Sequence, residues 1–291
     1  MRAVALHRDV LLVTSAILQV NCVIVRGAAA EKSQSPGAPE QAGASREQAD
    51  TPGGSEQAER AGETFVIDSP VLPDELDALS ALVEQARFPP PSGLLATHGD
   101  WDHLLGRLAF PGIALGCAES TGERLRASPG EAQRALREFD EDLLIERERP
   151  LALGSVQVLP VPGRCAVGDR ELELYAAAGH TADGMAILIP WALVLIAGDY
   201  LSTVELPTLN DDGDVNAYLA TLERLRALVT HAEHVVPGHG PVLDGARALT
   251  VLEEDAAYLR ALVEQGAEAE LPAGRRGAAQ RRAHRDNVAA L

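Results

Sequence analysis

Four potential metal ligands, His98, Asp100, Asp102 and His103, fall within the run Thr97-His-Gly-Asp-Trp-Asp-His103. Gly93-Leu-Leu-Ala-Thr97 before them reads as a strand, and Leu104-Leu-Gly-Arg-Leu108 after them as a first helical turn. The cluster therefore sits where a strand gives way to a helix. Such a junction holds side chains rigidly and leaves open space above them. Residues 98, 100 and 102 alternate, so an extended backbone points them the same way. A local turn then divides them between two neighbouring ions. Imidazole nitrogen and carboxylate oxygen together suit zinc, and also iron or manganese. The plainer reading is a polar turn in which Asp102 caps the helix.

Three further positions weigh against the plain reading. His180 stands in Ala178-Gly-His-Thr-Ala-Asp-Gly184, Asp199 in Ala197-Gly-Asp-Tyr200, and His239 in Pro237-Gly-His-Gly-Pro241. Each follows a strand-like run, and each has a glycine directly before it. Tight glycine turns let the backbone crowd a site. One histidine after a strand is more often a hydrogen-bonding residue than a ligand. Together with residues 98–103 these three make seven positions, enough for two three-ligand sets and a bridge. His7, His231, His234 and His284 lack this context and read as surface or packing residues.

The 291 residues suffice for one large domain or two small ones. Hydrophobic residues make up 46% and aromatics 3%, so the core is aliphatic. A formal charge of −18 repels phosphate backbones, so no nucleic acid is expected as partner. Arg275, Arg276, Arg281, Arg282 and Arg285 gather near the C-terminus and read as the solvated face of a basic tail or helix over 266–291. Cys22, Cys117 and Cys165 form no CxxC pair and no even-numbered framework. Each reads as a small buried hydrophobe suited to a reducing cytoplasm, and the apolar run before Cys22 reads as strand, not signal peptide. The longest apolar run, Met185 to Ala197, is too short for a bilayer and holds Pro190. A cytoplasmic protein with a small-molecule substrate and no membrane partner is the expectation, with the oligomeric state left open.

Apolar patterning places strands at Val10-Leu-Leu-Val13, 17–25, 64–68, 113–117, 155–159, 171–177, 185–190, 192–197 and 233–236. It places helices at 74–87, 131–144, 214–229 and 247–265, the second with Leu136, Phe139 and Leu143 inward. Residues 27–63 are small and polar, cannot bury enough surface to offset their ordering entropy, and read as a disordered low-complexity insert in place of a hairpin turn. Strands come in runs with helices between the runs. That pattern points to packed sheets with outer helices, in one domain spanning 1–26 and 64–265.

In this order, Asp68 after an early strand, the HxHxDH-type loop 98–103, Gly179-His-Thr181, Gly198-Asp199 and Pro237-Gly-His-Gly240 resemble the metallo-β-lactamase superfamily. The resemblance spans about residues 4–26 and 64–262. The superfamily includes glyoxalase II-like thioesterases, lactonases, lactamases, nucleases and persulfide dioxygenases. It implies an α/β fold, a four-layer αββα sandwich of two mixed sheets with the site at one edge between them. It implies that His98, Asp100 and His180 bind a first metal and that Asp102, His103 and His239 bind a second. Asp199 would bridge the two, and Asp68 would hold the ligand loop from behind.

The implied cofactor is two divalent ions, zinc in the first instance. The implied activity is hydrolysis of a small ester, thioester or lactone by a metal-bridging hydroxide, with Asp102 and Asp199 as its catalytic carboxylates. One position departs from the family, which usually has histidine where this chain has Asp100. Flavodiiron proteins, which resemble the family, carry glutamate there and hold iron. The extra carboxylate makes the first site harder and moves the expectation toward Fe or Mn. The alternatives are therefore iron-dependent oxygen or sulfur chemistry, as in persulfide dioxygenases, and a non-catalytic member of the fold. Trp101, Tyr200, Ser202 and Glu205 lie near the ligands in sequence and are expected to line the pocket.

Overall fold

Val10-Leu-Leu-Val13 and Cys22-Val-Ile-Val25 carry apolar side chains at consecutive positions, so a strand there must bury both faces. The computed structural model, which describes residues 1–28, 62–210 and 212–291, shows how. Strands β1 (Arg2–His7), β2 (Val10–Thr14), β3 (Asn21–Gly27), β4 (Glu63–Ile67), β5 (Gly93–Leu95), β6 (Leu115–Ala118) and β7 (Val156–Leu159) form a seven-stranded sheet in that order. Its first half is an antiparallel meander, and from β4 onward the strands run parallel. A second sheet has the order β12-β11-β10-β9-β8. It comprises β8 (Gly163–Val167), β9 (Arg170–Ala176), β10 (Met185–Ile189), β11 (Val194–Gly198) and β12 (His234–Pro237), of which only β11 and β12 pair in parallel.

Three cores follow from the alternation. Leu12, Val23, Val25, Ile67 and Leu95 of the first sheet meet Leu172, Leu174, Ile187, Val194 and Ile196 of the second. Their immediate neighbours Val13, Cys22, Ile24, Val66 and Leu94 point the other way, onto Leu76, Leu79 and Val83 of helix α1 (Pro73–Gln85). Helices α2 (Gly106–Ala109), α3 (Glu119–Ala127) and α4 (Glu131–Leu143) follow in the chain. Ala186, Leu188, Leu195, Ala197 and Val235 face Leu222 and Leu225 of α5 (Val215–Val229) and Val251, Leu252 and Leu259 of α6 (Gly245–Gln265). The layers are thus helix, sheet, sheet, helix, the αββα sandwich that the ordered motifs imply.

Several local expectations need correction. Strands β1 and β8 and helix α3 were not expected from the apolar pattern. Leu143 is 47% exposed, not inward, because α4 ends there and Leu144 turns into the left-handed region. Cys22 and Cys117 are buried, but Cys165 is only half-buried on β8. Nor is the C-terminal segment simply a solvated face. Arg275 is 2% exposed, reaches Asp255 at 2.5 Å and donates to the Ser202 and Glu205 carbonyls. His284 is buried on helix α7 (Ala278–Ala290), beside the Tyr258 hydroxyl at 3.0 Å. The disorder expected over 27–63 falls on residues outside the described ones, apart from its ends. There, Gly27 and Glu63 pair in the β3–β4 ladder.

The sandwich places the chemistry at one edge. Asp68, His98, Asp199 and His239 each follow the C-terminal end of a strand, β4, β5, β11 and β12 respectively, while His180 follows β9. The parallel pairs β4–β5 and β11–β12, from the two sheets, therefore deliver these side chains to the same end.

Candidate metal centre

Local structure builds the ligand loop from two anchors. Asp68 adopts a left-handed backbone (φ 55°) just past β4 and turns its carboxylate toward β5. Its Oδ1 accepts from the Thr97 amide at 2.8 Å and its Oδ2 from the Thr97 hydroxyl at 2.9 Å. On the other side, Gly99 N donates to Asp183 Oδ2 at 2.9 Å. A single 3₁₀ turn, Trp101–His103, then closes the loop, with His103 N donating to the Asp100 carbonyl at 3.1 Å. Gly238 is required by closeness, since any side chain there would collide with the Asp199 carboxylate.

Seven side chains converge. Asp199 Oδ2 lies 3.7 Å from His98 Nε2, 3.4 Å from His180 Nε2 and 3.4 Å from His239 Nε2. Its Oδ1 lies 3.1 Å from His103 Nε2. On one side, Asp100 Oδ2 stands 3.3 Å from His180 Nε2 and 3.6 Å from His98 Nε2. On the other, Asp102 Oδ2 stands 3.4 Å from His239 Nε2 and 3.9 Å from His103 Nε2. The result is two groups with Asp199 between them. His98, His180 and Asp199 place donor atoms within 4.8 Å of one another, and so do Asp102, His103 and His239.

All four imidazoles turn Nε2 inward, and each Nδ1 meets a partner outside the centre. His180 Nδ1 donates to the Thr208 carbonyl at 3.0 Å, and His239 Nδ1 to the Leu18 carbonyl at 2.9 Å. His98 Nδ1 faces the Thr97 hydroxyl at 3.1 Å, and His103 Nδ1 faces Asp68 Oδ2 at 3.0 Å. A proton held on Nδ1 leaves the Nε2 lone pair aimed at the centre, the arrangement an imidazole ligand needs. Leu18 escaped the sequence reading because a backbone carbonyl has no residue signature; Thr208, whose hydroxyl also lies 2.9 Å from His180 Nδ1, escaped it because it stands 28 positions from that histidine.

The donor set fits a cation. Buried polar atoms are almost always partnered, yet His98 Nε2, both ring nitrogens of His103 and Asp199 Oδ1 are buried without a hydrogen bond among the described residues, His103 Nδ1 having only its ion-pair approach to Asp68. Burial pushes the His180 and His239 imidazoles down, but the surrounding carboxylates outweigh it and lift them to about 9 and about 10. His103 is likewise raised, against burial, by Asp199, Asp68 and Asp102. Against burial too, the imidazoles hold Asp199 and Asp100 well below the usual carboxylate range. The centre thus draws positive charge strongly. Four imidazole nitrogens and three carboxylates suit one or two divalent ions.

Around this centre the sequence both missed and misplaced residues. Arg124, on α3, puts Nη1 2.8 Å from Asp100 Oδ1 and 2.9 Å from Asp183 Oδ1. Asn210 Nδ2 donates to Asp100 Oδ2 at 2.8 Å. Tyr200 does not line an open pocket. It is buried, donates to the Ala177 carbonyl and accepts from His180 N. Ser202 is also a packing residue, its hydroxyl donating to the His239 carbonyl at 2.9 Å. The Trp101 ring packs on Phe139 at 4.6 Å between centroids. Glu205 is half-exposed beside the ligands, with Oε1 3.6 Å from His239 Nδ1.

Comparison with known proteins agrees with the architecture. The model of the family described as the metallo-beta-lactamase superfamily matches residues 58–239. A "Metallo-beta-lactamase type 2" of Bacteroides fragilis is 32% identical over 68 residues, 23% of this chain and 27% of that protein. The chain thus matches about a quarter of that relative's length. Among solved structures, a metallo-beta-lactamase from Pontibacter korlensis superposes with a TM-score of 0.56 at 17% identity, covering 87% of this chain and 98% of that one. The DIM-1 metallo-beta-lactamase superposes with a TM-score of 0.55 at 16% identity, covering 87% and 95%. At these identities the superpositions speak to fold alone. The family match, which spans most of the sandwich and ends on His239, shows that the chain belongs to the metallo-β-lactamase superfamily.

Proposed function

We propose that this protein is a metal-dependent hydrolase of small esters, thioesters or lactones. The observation that carries the reading is the convergence of four inward-facing Nε2 atoms on the Asp199 carboxylate. His98, Asp100 and His180 would hold a first divalent ion, Asp102, His103 and His239 a second, with Asp199 shared between them. Zinc is the first expectation for this donor set. Two such ions, when bound, supply Lewis acidity toward a carbonyl oxygen and an ionised water at neutral pH.

The chain's own residues do the rest. Asp102 is buried beside His103 and His239, where its carboxylate orients the attacking water and takes up its proton. Asp199 holds the two halves of the site at a fixed separation. Glu205 stands half-exposed beside His239 and Asp199, and burial, with Asp199 and Asp102 nearby, pushes its carboxyl up to about 7. No helix among the described residues is long and apolar enough to cross a membrane.

Protein purified without added metal is to be analysed for metal content and assayed on a panel of esters, thioesters, lactones and one β-lactam. The β-lactam belongs there because the Bacteroides fragilis relative is named for that substrate. Metal-dependent turnover, lost in Asp102→Ala and His180→Ala, is the expected result. Turnover unchanged in both variants overturns the site. Stoichiometric iron, with oxygen uptake on glutathione persulfide, replaces hydrolysis by sulfur oxidation.

A further inference from the structure

A carboxylate differs from an imidazole as a ligand in two ways. It brings a negative charge, and it brings a second oxygen able to chelate the same ion. At position 100 the fold acts on both differences. Asp100 Oδ1 does not face the imidazoles; it is taken by Arg124 Nη1 at 2.8 Å. Oδ2 alone faces His180 and His98, at 3.3 and 3.6 Å from their Nε2 atoms, and it also accepts from Asn210 Nδ2 at 2.8 Å, which leaves it a second lone pair. The guanidinium is itself held in place. Its Nη1 also meets Asp183 Oδ1 at 2.9 Å, and Asp183 is 2% exposed and fixed by the Gly99 amide. Arg124 thus joins α3 to both sides of the ligand loop, and its side chain is 18% exposed.

We propose that Arg124 is a positioning residue that makes Asp100 a one-atom, charge-compensated donor, so that the first site behaves as though an imidazole stood there. This rests on the metal-centre reading above. A carboxylate held by one oxygen cannot chelate. The first site therefore keeps a low coordination number and favours zinc over the six-coordinate preference of manganese or high-spin iron. The extra carboxylate of the ligand loop then need not signal a change of metal or of reaction.

Four proteins test this: wild type, Arg124→Met, Asp100→His, and the double variant. Each is loaded with cobalt(II), whose visible absorption is strong in four- or five-coordinate sites and weak in six-coordinate ones. Each is also equilibrated with a zinc–manganese mixture and its metal content measured. With Asp100 present, Arg124→Met frees Oδ1, and the cobalt bands weaken while zinc preference falls by about tenfold, the lower end of effects from outer partners of a ligand. With Asp100→His, the same Arg124→Met change leaves both readouts unmoved, because no second oxygen remains to be freed. Loss of the Asp183 contact is common to both backgrounds, so a merely structural role would shift both alike. Equal shifts in both backgrounds, or none in either, overturn the proposal. A wild type that takes up no cobalt overturns the metal-centre reading and this inference with it. Where Arg124→Met fails to fold by circular dichroism, Arg124→Gln, which keeps a donor for Asp183, takes its place with the same expectations.

Discussion

Asp68 supports the ligand loop through three contacts: the Thr97 amide, the Thr97 hydroxyl and His103 Nδ1. Asp68→Ala is expected to lower affinity for the ion on the His103 side by ~10–100-fold, the usual cost of losing an outer partner of a metal ligand. Competition with a chelator measures it, and an unchanged affinity would remove Asp68 from the site. The same variant leaves the Thr97 amide unpartnered in the interior, at a cost of ~1–3 kcal/mol. At this scale the sequence was unevenly legible. His98, His103, His180, Asp199 and His239 advertise themselves, because each is a donor type beside a strand and a tight turn. Arg124 carried no such mark. It is one arginine among many on a helix unseen from the pattern, and its partners Asp100 and Asp183 lie 24 and 59 positions away.

Two elements are tied down by buried polar anchors. Glu75, in the first turn of α1, is 2% exposed and accepts from Ser15 Oγ at 2.5 Å and from Ala16 N at 2.8 Å, docking the helix on the β2–β3 turn. Burial alone would raise its pKa, but these donors outweigh it and lower it. A lowered carboxylate contributes stability that is present above the ordinary glutamate range and lost as pH falls through the folded value. Glu75→Ala is therefore expected to cost ~1–3 kcal/mol at neutral pH. It should also flatten the acid limb of stability against pH, both read from urea melts.

Helix α7 works from the other side of the site. Asn287 accepts from Leu209 N at 2.8 Å and donates to the Pro207 carbonyl at 2.7 Å. It thereby clamps the residues on both sides of Thr208, which orients His180. Asn287→Ala should lower stability by ~1–3 kcal/mol and speed metal loss to a chelator. An unchanged off-rate would confine the helix to a packing role. The pattern that revealed α5 and α6 missed β1 and β8 for a simple reason. Both are edge strands, β1 of the first sheet and β8 of the second, and their half-exposed faces blur the alternation.

Across the whole molecule, metal binding and folding are linked. Ligand that binds only the folded state stabilises it by about 2.7 kcal/mol at 100 times Kd, for each independent site. Dialysis against a chelator should therefore lower the melting midpoint by several degrees, and added zinc should restore it. No shift would mean that no ion is bound. The chain between β3 and β4 gives a second check, because Gly27 and Glu63 already pair across the ladder. Replacing residues 29–61 by a two-residue Asn-Gly turn should leave metal content and melting midpoint unchanged or slightly raised, since shortening a loop lowers its closure entropy. A collapse of either would give that segment a structural role.

The architecture and the candidate donor residues were readable along the chain, because both are written in local terms. Consecutive apolar residues mark strands buried on two faces, and His180, Asp199 and His239 each follow a strand-like run behind a glycine. Contacts between distant residues settled the rest. Which oxygen of Asp100 faces the imidazoles depends on a guanidinium from another element. Which nitrogen His180 and His239 present depends on the carbonyls of Thr208 and Leu18, far along the chain. Arg275, one of five arginines in a basic stretch, went inward because Asp255 and two carbonyls waited there. Such choices turn on donor and acceptor atoms meeting across 20 to 220 positions, and only the folded chain brings them together.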